Sequence, residues 1–503
     1  MADFLSEDGL YWRPLGGNNI DQISGHCYQY TDTKCTSSGF VTSTIIVDIG
    51  KFDNHQALGI KNSVAAVPDI RELLALFSPL GIFLTHSHPD HINGIVHYIN
   101  AGYRFPPLYG GLYTKLVLEE LYKEFGISEE KQPQFIVIKE GDIINCGSLK
   151  VEIIPSSHTC LDSFGLLITN HQNICVYHTG DMKTDNSTYF RQPTNLKRLK
   201  ELKNKVNFVV ADFYGANNDG LAVREVETFK KLSLIISQKA PNKVFIPVYP
   251  THAEMFIIAF LAALKNKKNV IFYGNQDFYS YINLIKLRGI DFEQIARNRI
   301  KVSVGIPQDI SEFDNNFAVI GTFNNIGNTF KETPTDSLGI ITSGTFFNPL
   351  RGQLNARNIP FTGVEEHSDL QGCGHSSWGD LEKINTILEK PVFIPTHCPI
   401  YLIEDCRQLA KESELNIAEP TAHNNHLYKL NESSYNEISC NPASWLVVNY
   451  IAGKAFFTEV WQRPTSGCGF LKRTFSKRRS CNNFKTMLYK RKKKRNSHDK
   501  KIC

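Results

Sequence analysis

The chain has 503 residues, 42% hydrophobic and 21% charged, the balance of a globular protein rather than a disordered or membrane-embedded one. Its longest apolar run, 255–264, falls short of the ~20 residues of a bilayer-spanning helix, and the opening MADFLSEDGLYWRP has no basic stretch leading into an apolar core, so neither a secretory leader nor a membrane contact is expected. The net charge of +5 conceals an asymmetry, because residues 472–501 hold 14 Lys and Arg against Asp499 alone and leave the rest of the chain mildly acidic.

Such a basic arm is commonly solvated and disordered, and it also serves as a contact to nucleic acid. The 12 cysteines include no C-x-x-C pair, which argues against a zinc ribbon or a disulfide framework and suits a reducing cytoplasm.

In chain order, residues 1–210 read as short apolar runs separated by turns. TSTIIVDIG, GIFLTH, FIVIKEG, LKVEIIP, FGLLIT, ICVYHTGD and VNFVVAD predict strands, being rich in Val, Ile and Phe. Helical spacing falls at 69–77 and 112–125. From about residue 211 to 374 the rhythm becomes longer: helix 223–237, strand KVFIPVY, helix 253–265, strand NVIFYG, a helix from Asp277, then FAVIGTF and LGIITSG. Alternation of this kind predicts βαβ units on a parallel sheet. A helix over 379–389, the strand PVFIPTHC and a helix over 401–411 follow, and beyond 436 the regularity is expected to fade.

The chemistry concentrates in LTHSHPDHING. A strand is expected to end at His86, and His86 and His88, two apart, can reach one cation while Asp90 and His91 serve a second. An H-x-H-x-D-H run is far more specific than an isolated histidine pair. One loop cannot close two sites, and three more candidates follow predicted strands: His158, Asp181 and His397. A carboxylate such as Asp181 can bridge two cations, and a His-rich, Cys-free donor set favours zinc, with manganese the alternative where oxygen ligands dominate.

The series IIVDIGKF, THSHPDH, SSHTCLDSFGL, YHTGDMKTD, VVADFYGANNDG, CGHSS and FIPTHC resembles, in its order, the metallo-β-lactamase superfamily. It is most similar to the nucleic-acid-processing β-CASP branch and to the bacterial ribonuclease J family, over roughly residues 10–430. The resemblance implies an α/β fold, an αββα sandwich interrupted by an inserted β-CASP domain with a parallel sheet. The first part of the sandwich would be 1–210, the insertion 211–384, the return segment 385–435, and a C-terminal extension 436–503. It implies that His86, His88 and His158 hold one divalent ion, that Asp90, His91 and His397 hold the other, and that Asp181 bridges. Asp48 would orient ligands from behind, and Asp212 and His375 would be the pair that marks the branch, with Asp90 also counted among the catalytic groups.

The activity implied is hydrolysis of RNA, single-stranded in the first instance, by metal-activated hydroxide, endonucleolytic or 5′–3′ exonucleolytic. His375, steered by Asp212, would serve the departing 3′ oxygen. A homo-oligomer is compatible with the resemblance. TSGTFFNP and VYPTHAEMF depart from the family's substrate-gripping patterns. The competing readings are a hydrolase of a small ester, thioester or lactone, and a non-catalytic RNA-binding partner subunit. His97, His171 and His178 are read as structural or surface residues, His252 is left open, and Cys160, Cys373 and Cys398 are read as points of oxidation sensitivity.

Overall fold

The computed structural model describes residues 7–18, 24–52, 64–239, 241–305, 316–322, 336–342, 351–352, 354–355, 358–370, 372–440, 444–451, 454–462 and 470–474. The TSGTFFNP turn from Ser343 onward and the basic arm from 475 onward lie outside the described residues.

Two large sheets face each other. One runs Tyr435–Cys440, His426–Leu430, Gly9–Gly16, Cys27–Thr36, Gly39–Val47, Ile82–Phe83, Leu108–Gly110, Phe135–Val137. The other runs Asn416–Ile417, Val392–Thr396, Phe208–Asp212, Cys175–His178, Phe164–Thr169, Leu149–Pro155, Ile143–Cys146. Strand residues alternate between faces. Phe208 and Val210 therefore enter the layer between the sheets with Trp12, Ile45, Val47, Leu166 and Ile394, whereas Val209 and Ala211 pack outward on Leu199, Leu381 and Ile403. The helices Leu196–Glu201, Trp378–Leu388 and Ile400–Ser413 cover that outer face. The other sheet turns Ile46, Ile82 and Leu84 toward Ile92, Ile95 and Val117 of its own helices. Strands covered on both faces need apolar residues at every position, as FVVAD and IIV show.

Strand Phe208–Asp212 pairs in parallel with Val392–Thr396. Between these neighbours the chain builds a separate six-stranded sheet, from Lys243–Pro247 to Phe361–Gly363, in which every pairing is parallel. The helix Ala253–Lys265, AEMFIIAFLAALK, is apolar on all sides because it is buried on nearly all of them. Two ion pairs join it to the sandwich: Glu254 accepts from Lys183 and from Arg191, each at 2.9 Å. Arg191 also meets Glu225 of the helix Glu225–Lys239.

Three expectations need correction. The strand of GIFLTH is paired only over Ile82–Phe83, and His86 stands on the loop beyond it. The helix expected over 69–77 is present over 71–77 but widens to a π-turn over Leu73–Phe77. Beyond 436 the chain is not irregular: Ser444–Ile451, Lys454–Gln462 and Phe470–Thr474 form a four-stranded sheet with Ala65–Pro68. Lys472 and Arg473, the start of the basic run, belong to its last strand. Among the described residues no helix is long and apolar enough to cross a membrane.

Candidate metal centre

The donors collect where strands of both large sheets end. Asp48 follows Gly39–Val47, the 86–91 loop follows Ile82–Phe83, His158 follows Leu149–Pro155, Asp181 follows Cys175–His178, and His397 follows Val392–Thr396. Asp48 and His397 hold left-handed backbone, at φ 59° and 55°, uncommon for residues with a Cβ and typical of sites where the surroundings force a side chain inward.

Three groups of donor atoms converge. The first is His86, His88, His158 and Asp181. His88 Nδ1 lies 3.1 Å from both His86 Nε2 and His158 Nε2, and Asp181 Oδ2 lies 3.6 and 3.7 Å from those two nitrogens. Donors bound to one zinc ion at ~2.0–2.2 Å stand roughly 3.3–3.6 Å apart in a tetrahedral shell. The spacing observed brackets that value. The second group is His26, His91, Asp181 and His397, and the third is Asp181, Asp212, His375 and His397. Asp181 is common to all three. Asp90 Oδ2 stands 3.6 Å from His26 Nε2 and 3.8 Å from both His91 Nε2 and His397 Nε2.

The outer hydrogen bonds set which ring nitrogens are free. His158 Nδ1 faces the carbonyl of Gly374 at 2.9 Å. A carbonyl only accepts, so Nδ1 carries the proton and Nε2 presents its lone pair inward. Asp48 accepts from Thr85 Oγ1 and from His91 Nδ1, both at 2.8 Å. With its proton so committed, Thr85 accepts from His86 Nδ1 at 3.0 Å. Two of the histidines in the loop are thus turned by Asp48, directly or through Thr85.

The centre fits a dication. His91 Nε2, His26 Nε2 and Asp181 Oδ2 are buried and have no hydrogen-bond partner among the described residues, and each such atom costs about 1–3 kcal/mol unless something satisfies it. Burial, with their histidine neighbours, holds the rings of His26, His86, His88 and His158 neutral, well below the usual histidine range. His91 differs: burial opposes its charge, but Asp181, Asp90 and Asp48 prevail and hold its pKa well above the usual value. A proton there occupies the place a cation would take. Burial raises Asp181 less than His397 and His91 lower it, so its carboxylate stays ionised.

His375 Nδ1 lies 2.8 Å from Asp212 Oδ2 and 3.8 Å from Asp181 Oδ2. Burial pulls its pKa down, but Asp212, helped by Asp181 and Asp90, pushes it up to about 9. The structure thus brings together His86, His88, Asp90, His91, His158, Asp181, Asp212, His375 and His397, with Asp48 behind them. His26 was missed in the sequence, where it is a lone histidine before CYQYTDT with no spacing signal. His252 caps the helix Ala253–Lys265, and its ring sits 5.7 Å from that of His88. His97 and His171 are tied to Tyr450 and Asp32, and His178 to Tyr30. Burial pushes the Cys160 thiol up to about 12, which opposes the reactivity expected of it.

Residues 64–208, which include most of these donors, match the family model described as "Beta-lactamase superfamily domain". The chain resembles ribonuclease J. It is 26% identical over 289 residues to ribonuclease J of Synechocystis sp., covering 57% of this chain and 42% of the relative. To ribonuclease J of Helicobacter pylori it is 25% identical over 264 residues, covering 52% and 36%. The match thus spans about two-fifths of the length of these relatives. A solved structure of a protein of unknown function from Enterococcus faecalis V583 shares the fold, with a TM-score of 0.57 at 18% identity over 86% of this chain and 100% of its own.

Proposed function

We propose that the protein is a metal-dependent phosphodiesterase that cleaves single-stranded RNA in the cytoplasm. The observation that carries this reading is the placing of His375 and Asp212 against Asp181, the carboxylate common to all three donor groups. A protonated imidazole then stands beside the centre.

His86, His88, His158 and Asp181 would hold one ion; His91, His397, Asp90 and Asp181 would hold the other, with zinc favoured by the imidazoles. Two bound dications supply Lewis acidity and offset the charge of the phosphoryl oxygens. The chain's own groups do the rest. Asp48 keeps His86 and His91 in the tautomer that faces inward. Asp212 keeps the His375 ring charged and oriented, and His375 gives its Nε2 proton to the departing 3′ oxygen. The products carry a 5′ phosphate and a 3′ hydroxyl. The segment 211–384 forms the inserted β-CASP domain in this reading, and the basic arm adds electrostatic grip on RNA.

The similarity to ribonuclease J supports RNA as the substrate. The test is cleavage of 5′-labelled single-stranded RNA and DNA by purified protein supplied with zinc or manganese. RNA should be cut, and His88→Ala should lose the activity with its metal. Cleavage that survives His88→Ala refutes the reading. Labelled products separated by size distinguish stepwise removal of nucleotides from internal cuts.

A further inference from the structure

We propose that His26 is a further metal ligand: its Nε2 joins His91, His397 and Asp181 at the second cation position, making that position one of three imidazoles and a shared carboxylate, with Asp90 at its rim. The proposal rests on the metal-centre reading above and adds a donor that the LTHSHPDHING run does not contain.

The first support is convergence. The His26 ring is stacked on that of His91 at 4.2 Å and edge-on to that of His397 at 4.2 Å. Its Nε2 is buried and without a hydrogen-bond partner among the described residues, as are His91 Nε2 and Asp181 Oδ2. These are the donor atoms of the second group, all within 4.8 Å of one another.

The second support is a fixed ring. His26 Nδ1 is hydrogen-bonded to the Tyr28 hydroxyl at 2.8 Å. With Nδ1 engaged there, Nε2 is the ring nitrogen aimed at the cluster, the arrangement found behind metal-binding histidines.

The third support is backbone placement. The His26 N–H donates to the carbonyl of Asp90 at 2.8 Å, and the Gly50 N–H donates to the carbonyl of His26 at 2.9 Å. A Cβ on Gly50 would come within 1.6 Å of the Asp90 carbonyl oxygen and 2.8 Å of His26 N. The glycine is what lets the His26 segment lie directly against the ligand loop.

The test uses full-length wild type, His26→Asn, Tyr28→Phe and the double variant, each checked for folding by circular dichroism. Zinc per chain is measured against chelators of graded strength, and the cobalt-substituted proteins are compared by visible spectrum. Wild type should hold about two ions. His26→Asn should keep one tightly and hold the other at least ~10-fold more weakly, with a changed cobalt spectrum. Tyr28→Phe should weaken the same ion by a smaller factor in the wild-type background and have no further effect once His26 is Asn. Wild type that binds no zinc overturns the metal-centre reading itself. Two ions held with equal affinity by wild type and His26→Asn overturn the His26 proposal alone. If His26→Asn does not fold, Tyr28→Phe decides: an unchanged second affinity counts against His26.

Discussion

The carbonyl of Gly374 accepts a hydrogen bond from His158 Nδ1 at 2.9 Å, across 216 positions of sequence. The glycine that precedes His375 therefore also sets the tautomer of a candidate ligand in the sandwich. A Cβ at Gly374 would lie 2.5 Å from His158 Nδ1, closer than any side chain tolerates. Gly374→Ala is expected to push the His158 ring out of line and lower metal affinity by ~10–100-fold, as losses of outer hydrogen-bond partners do. Chelator titration measures it, and unchanged affinity would contradict the role given to this carbonyl.

Asp212→Asn should separate chemistry from metal loading. The carboxylate that holds His375 protonated is lost, while the first donor group is untouched. Turnover on RNA should fall by ~10²-fold or more. The ion at His86, His88 and His158 should be retained, as read by metal analysis. Full turnover would show that His375 does not act as the acid.

Glu254→Ala removes one acid from a buried network. Lys183 and Arg191 each lose a partner at 2.9 Å, and neither can reach water. Arg191 keeps Glu225 and Lys183 keeps the carbonyl of Val223, so the loss is that of one buried partner for each, typically about 1–3 kcal/mol. Urea denaturation should show a loss of that order, together with looser docking of the helix Ala253–Lys265 onto the sandwich, visible as faster amide exchange. A loss below about 1 kcal/mol would place the network among the energetically neutral ion pairs.

His178 should contribute to acid sensitivity. Burial, with His91 nearby, lowers its folded pKa from 6.5 to about 3. The unfolded chain takes up a proton that the native state refuses. The contribution is thus fully present above about pH 6.5 and is lost as pH falls toward 3, at up to ~1.4 kcal/mol per pH unit. His178→Gln should flatten the stability profile between those values. An unchanged slope would mean that other groups carry the acid transition.

Removing residues 475–503 should weaken RNA binding and reduce its dependence on salt, since each lysine or arginine that neutralises a phosphate releases a counterion. Metal content should not change. A truncated protein that loses its metal would show that this segment supports the centre instead.

Much of the site was legible because its residues declare themselves by type and spacing. His86 to His91 stand in one run, and His158, Asp181 and His397 each follow an apolar strand. His26 carried no such mark: it is recognisable only once the sheet brings it beside His91. The strands Gly9–Gly16 and Cys27–Thr36 were missed for a different reason. Gln29, Thr31 and Asp32 are all buried, Gln29 bonded to Thr31, Thr31 to Thr44, and Asp32 to Ser148 and His171. Polar residues of this kind read as a solvent-facing turn until their partners are known. The sheet strands Ser444–Ile451 and Lys454–Gln462 depend on Ala65–Pro68, nearly 400 positions earlier, a pairing that no local pattern announces.

The parallel pairing of Phe208–Asp212 with Val392–Thr396 also orders events in time. Ala211 and Thr396 are 185 positions apart, and at typical synthesis rates that interval takes about 10–40 s. Throughout it the seven-stranded sheet keeps an open apolar edge on the nascent chain, and His397 has not yet been made. Assembly of the donor cluster therefore waits until the whole of the intervening segment has been made, and the sandwich can be sealed only after it.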